Sequence, residues 1–154
     1  MTEGTSRVLV VDSSVIQSAG SSPTSCRKAL EDILAICHHV VLTEKILEEW
    51  NRHFTNYSLN WYFDMTSRGK TDPKNETELG ELQQKLSTIP IDEDIRNILK
   101  KDLLLIEAAC SADGIIVTCD DRFKNHFNNH RESLGFNKEI IWINPVRQEM
   151  NSIT

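Results

Sequence analysis

A chain of 154 residues, 39% hydrophobic and 26% charged, suits one domain with a packed core and excludes a disordered polymer. Its formal net charge of −6 excludes a protein that coats nucleic acid through bulk positive charge, but not an enzyme that gathers carboxylates around a cation. No apolar run approaches the ~18 residues of a membrane span, and the start MTEGTSRVLVVD lacks the basic segment and cleavage site of a secretory leader, so a cytoplasmic location is expected.

Taken in order, RVLVVD at 7–12 predicts a central strand, buried on both faces and ending in an acid. Ser13 or Ser14 caps the next turn, and GSSPTS at 20–25 is a loop with a helix start near Pro23 or Thr24. From Cys26 to Cys37, Ala29, Leu30, Ile33 and Leu34 recur at helical spacing, and His39 to Leu42 predicts a second strand. Thr43 is an N-cap for a helix with Ile46, Leu47 and Trp50 on its buried face, running to about His53. A second helix, rich in aromatics, is expected from Asn56 to Thr71, ended by Thr71-Asp72-Pro73. Glu76 to Leu86 predicts an exposed helix, Ile89-Pro90-Ile91 an extended stretch, and Asp92 to Lys100 a short helix.

The segment KDLLLIEAACSADGIIVTCDDRF at 101–123 then organises the chain. It predicts a helix opened by Asp102, a stop at Gly114, a buried strand over Ile115 to Thr118, and an acid, Asp120, where that strand ends. A short helix over 122–128, a last strand over 139–143 and a capping tail from Asn144 complete the pattern. Strands alternating with helices imply an α/β fold, a three-layer α/β/α sandwich around a mainly parallel sheet, in a single domain over 1–154.

Four acids from four segments compete for one crevice at the ends of these elements: Asp12, Glu49, Asp102 and Asp120. Each has a plainer reading. Asp12 could cap a turn, Asp102 could oppose a helix dipole, Asp120 and Asp121 could shape a turn, and Glu49 could be solvated like its neighbour Glu48. Together they repel one another unless a hard cation such as Mg2+ or Mn2+ joins them through oxygen ligands. Such a cation lowers the pKa of a bound water and stabilises charge on a phosphoryl oxygen. The cysteines (Cys26, Cys37, Cys110, Cys119) form no C-x-x-C pair and read as reduced structural thiols, and the histidines lack zinc spacing.

VVDSSVI at 10–16, LTEKILEEW at 42–50, KDLLLIEAACSA at 101–112 and IIVTCDDRF at 115–123 resemble, in the same order, the four signature blocks of PIN-domain nucleases. The resemblance implies a PIN-like fold and an endoribonuclease acting on single-stranded RNA, with Mg2+ or Mn2+ held by Asp12, Glu49, Asp102 and Asp120. Ser14 and Thr118 match the small hydroxyl positions beside the first and last acids and are expected to orient ligands or water. An antitoxin segment occluding the pocket and a homodimer are partners the family brings with it; a catalytically weak binding or scaffold domain is the other reading.

The stretch Asn56 to Leu86 departs from short toxin members in its length and aromatic content. There Trp61, Tyr62 and Phe63 either stack bases or pack helices together, while Arg52, Arg68 and Lys70 are candidates to meet phosphates. A receiver-type phosphoacceptor is disfavoured because Asp12 stands alone after the first strand, and a haloacid-dehalogenase-like phosphatase because Ser14 stands where its second aspartate belongs.

Overall fold

A computed structural model of the protein describes residues 6–20, 25–75 and 80–147. Its elements are β1 (Val8–Val11), α1 (Ser13–Ser18), α2 (Ser25–Ile36), β2 (His39–Leu42), α3 (Glu44–His53), α4 (Asn56–Ser67), β3 (Thr71–Pro73), α5 (Glu81–Thr88), α6 (Glu93–Cys110), β4 (Ile115–Val117), α7 (Asp121–His130) and β5 (Ile141–Ile143). The strands form one sheet in the order β3-β2-β1-β4-β5. Every pairing is parallel, with Leu9 opposite Ile115, Val11 opposite Val117 and Leu9 opposite Val40. The helices flank this sheet, compatible with a three-layer sandwich. Among the described residues, no helix is long and apolar enough to cross a membrane.

The three central strands consist mainly of branched apolar residues because both of their faces are covered. Leu9, Val10, Val11, Val40, Val41, Ile116 and Val117 are fully shielded from solvent. The edge strands, three residues each like β4, are more mixed in composition or exposure. β3 ends on Pro73, whose missing N–H is tolerable at an edge, and β5 leaves Ile141 exposed.

Helix α6 lies against β1, β2 and β4. It buries Leu99, Leu103, Ile106, Ala108 and Ala109, and the two small residues permit close approach to the sheet. Its end is closed by Gly114, at φ +73°, whose N–H donates to the Ala109 carbonyl at 2.9 Å. Helix α3 starts on Thr43, whose hydroxyl accepts from Ile46 N–H at 3.2 Å. It is tied to the sheet by Trp50, which is fully buried and donates its indole N–H to the Val11 carbonyl at 2.9 Å.

Several expectations are corrected here. Asp102 does not open a helix. No proline or glycine interrupts 93–110, so the short helix expected over Asp92 to Lys100 runs on through Asp102 as one element. Thr71-Asp72-Pro73 is a strand rather than a simple break, because its backbone completes the ladder of β2. By contrast, the stretch Ile89-Pro90-Ile91 opens extended at Ile89, as expected, and belongs to no strand. Helix α5 is half-buried through Leu82 and Leu86 rather than fully exposed. Pro23 and Thr24, the start of the expected helix at Glu76, and the tail beyond residue 147 lie outside the described residues.

Trp50 anchors α3 both by packing and by its bond to β1. Trp50→Phe keeps most of the packing but strands the Val11 carbonyl, and should cost about 1–3 kcal/mol. Trp50→Ala should cost about 3–5 kcal/mol in urea unfolding.

Candidate functional site

The chain runs outward from β1 to β2 and β3, then crosses to β4 and β5 on the other side. The C-terminal ends of β1 and β4 are therefore the topological switch point, where parallel sheets open a crevice. Asp12 follows β1 there, and Thr118 and Asp120 follow β4. The two ends are stitched by Asp12 N–H donating to the Val117 carbonyl at 2.9 Å.

Asp12 occupies the N-cap position of α1, yet its side chain makes no capping bond. Its Oδ2 instead accepts from the hydroxyls of Ser14 and Thr118, each at 2.8 Å. The same hydroxyls serve the β4–α7 loop: Ser14 Oγ accepts from Cys119 N–H at 3.1 Å, and Thr118 Oγ1 from Asp120 N–H at 3.0 Å. Ser14 and Thr118 thus fix the first acid and the loop of the last acid together. Burial raises the Asp12 carboxyl above its ordinary pKa; the two hydroxyl bonds oppose that rise, and the charge of Asp120 adds to it.

Asp102 enters the crevice from α6. Burial raises its pKa from 3.8 to about 7, helped by the charges of Asp12 and Asp120. Its Oδ2 is buried and has no hydrogen-bond partner among the described residues. An unsatisfied buried carboxylate oxygen beside two more carboxylates stores unfavourable energy that a proton or a cation would relieve.

Asp12, Glu49 and Asp102 line one cleft of about 310 Å³, with Trp50 and Leu105 on its apolar wall and Lys45, Arg52 and Lys101 also lining it. Glu48, the neighbour of Glu49, lines it as well. Glu49 is held by Arg52 at 3.0 Å and His53 at 3.2 Å, and about two fifths of its side chain is exposed. Asp120 is not in the cleft wall; its charge acts on both Asp12 and Asp102, and its carboxylate accepts from Arg122 N–H at 3.0 Å as the cap of α7. Among the described residues, no three Asp, Glu, His or Cys side chains are gathered into a ready-made metal shell.

The expected phosphate-binding residues divide. Arg52 lines the cleft. Lys70 does not reach it: the residue is buried just ahead of β3, at the opposite end of the strands from Asp12, and its Nζ donates to the Leu34 carbonyl at 3.0 Å. Arg68 caps the end of α4, on the same far side.

The aromatics divide too. Trp61 packs on Trp50 with ring centroids 5.7 Å apart, Tyr62 on Phe54 at 5.6 Å, and only Phe63 is well exposed. Two features escaped the reading of the sequence. One is the Trp50 bond to β1, which no pattern announces. The other is the contact of Cys26 with Cys119, whose Sγ atoms lie 2.8 Å apart although the residues are remote in the chain.

No protein-family model and no curated protein sequence matches this chain significantly. Fold and site therefore define it by themselves, as an α/β protein with an all-parallel five-stranded sheet and a carboxylate-lined cleft at its switch point.

The raised pKa of Asp102 has a signed consequence. Between pH 3.8 and about 7 the folded chain holds a proton that the unfolded chain has released, so this group's contribution to stability falls as pH rises through that window. At pH ~8 without divalent cations, Asp102→Asn should therefore melt above the parent, by about 2–4 °C, and the gap should close near pH ~4. Melting curves of the two proteins across that range check it.

A second expectation concerns Lys70. Lys70→Met should leave the cleft's affinity for ligands unchanged, while the unpaired Leu34 carbonyl lowers stability by about 1–3 kcal/mol. Unfolding and Mn2+ titration of the same protein separate the two effects.

Proposed function

We propose that the chain is a PIN-like endoribonuclease that cleaves single-stranded RNA with Mg2+ or Mn2+ held by Asp12, Asp102, Asp120 and Glu49. The observation that carries this reading is Asp102: a buried carboxylate with an unpartnered oxygen, raised in pKa by burial and by two further aspartates at the switch point. The donor set is all oxygen, which suits a hard divalent cation rather than zinc or copper. When bound, such a cation supplies Lewis acidity to a phosphoryl oxygen and makes a water nucleophilic at neutral pH.

The chain's own residues supply the rest. The hydroxyls of Ser14 and Thr118 hold the Asp12 carboxylate in one orientation before any ligand arrives. Asp102 Oδ2, free of other bonds, is available to accept from a water or to bind a cation. Arg52 and Lys101 in the cleft wall offer charge to the flanking phosphates of an RNA strand. Glu49 must exchange its bonds with Arg52 and His53 to join the acids, and partly exposed pairs of this kind exchange at little cost. Free thiols and an RNA substrate fit a cytoplasmic setting.

The pairing of Glu49 with Arg52 and His53 also favours a second reading, a binding or scaffold domain with little catalysis, in which that acid stays engaged. In a toxin–antitoxin setting the same cleft would receive a basic side chain of an antitoxin segment. A homodimer is compatible with any of these readings.

The deciding experiment is cleavage of an internally labelled single-stranded RNA in Mn2+, with EDTA and the folded variants Asp12→Asn and Asp102→Asn as controls. Cleavage should vanish in EDTA and fall by about two orders of magnitude or more in each variant. Full activity in both variants overturns the mechanism. Absence of cleavage by the parent on several RNAs, together with weak Mn2+ binding, supports the scaffold reading instead.

A further inference from the structure

Cys26 sits in the first turn of α2 and is almost fully buried, while Cys119 lies part-exposed in the loop between β4 and α7. Both are free thiols, and their sulfurs are 2.8 Å apart. A disulfide bond is about 2.05 Å long, so bond formation needs less than about 1 Å of further approach. Among the described residues the other two cysteines lie apart from this pair: Cys37 is exposed, with its Sγ 4.0 Å from the Ala35 carbonyl, and Cys110 lies at the end of α6.

We propose that Cys26 and Cys119 form a thiol–disulfide modification site, oxidised by a peroxide to an intramolecular disulfide that staples α2 to the β4–α7 loop. One sulfur attacks the peroxide O–O bond, releasing a first water and becoming a sulfenic acid. The second sulfur displaces the sulfenic oxygen as a second water and forms the S–S bond. In balance, two thiols and one hydrogen peroxide give one disulfide and two waters, and a dithiol reductant reverses the change by thiol–disulfide exchange. Part-exposed Cys119 opens the pair to the oxidant, and whichever sulfur is oxidised first has the other at hand to resolve the sulfenic acid before further oxidation.

The site also borders the acids. Cys119 lies between Thr118 and Asp120, and its N–H is held by Ser14 Oγ, the same atom that donates to Asp12. Drawing Cys119 toward α2 therefore pulls on the hydrogen bonds that set Asp12. The inference does not depend on the nuclease reading, since it needs neither metal nor RNA.

The test uses a Cys37→Ser, Cys110→Ser chain, in which only the pair remains. Hydrogen peroxide is added in small excess, free thiols are alkylated, and peptides are mapped by mass. The expected result is a monomeric chain that loses both thiols together, with the Cys26 and Cys119 peptides joined, a melting temperature higher by about 5–10 °C, and full recovery in dithiothreitol. Unfolding the chain in urea before adding the same dose should slow the joining at least ~10-fold, because proximity is the fold's contribution.

If Cys26 and Cys119 remain alkylatable at a dose that oxidises glutathione, the proposal is overturned. It also fails if Cys119 runs on to the sulfinic acid unjoined, or if the bond forms between chains. Should the double variant fold poorly, the same mapping on the parent chain, with Cys26→Ser as the blocked control, gives the same decision.

Discussion

The structure depends on placing like charges at the centre of an apolar sheet. Asp12 terminates the central strand β1, with Asp102 reaching in from α6 and Asp120 acting from the loop after β4. Burial and mutual repulsion raise two of these acids out of the ordinary range, and the fold tolerates the strain because it holds the groups from every side. Two hydroxyls grip one oxygen of Asp12, backbone bonds lock β1 to the start of the β4–α7 loop, and Trp50 ties α3 to the last carbonyl of β1. A core of branched residues could have been closed more stably without the acids.

Much of this frame was readable in the residues. RVLVVD, the HVVL strand and the IIV strand are short branched runs with no alternation, and runs of that kind are central parallel strands. Thr43 before an amphipathic stretch announced α3, and of the four acids Asp12 and Asp120 follow strands as expected, whereas Glu49 and Asp102 lie within α3 and α6. Ser14 and Thr118 were also in reach, because a hydroxyl two residues from an acid at a strand end has little else to bond.

What was hidden had a physical reason in each case. Strand β3 holds only one strand former, Thr71, beside Asp72 and Pro73, which strands disfavour, and it forms against the ladder that the edge of β2 offers. The start of α6 was misplaced because Asp102 resembles a first-turn acid, although nothing between Glu93 and Lys101 stops a helix. Lys70 carries a charge that suggests a ligand, but its ammonium is spent on a backbone carbonyl across the fold. The pairing of Cys26 with Cys119, like the indole bond of Trp50, links remote parts of the chain and leaves no local pattern.

Helix α6 carries one more acid, Glu107, which is buried and faces away from the cleft. Its Oε1 accepts from the N–H groups of Leu82 and Gln83, at 2.6 and 3.1 Å, and so caps the start of α5 from another element. Asp102 and Glu107 lie five residues apart, about 7.5 Å along the same axis. The helix thus carries repelled charge at one station and a borrowed cap, which holds it to α5, at the next. A sliding motion that eased the aspartates apart would withdraw Glu107 from two donors at the mouth of α5. The position of α6 at the acidic cleft is in this way tied to α5, a helix that does not line the cleft.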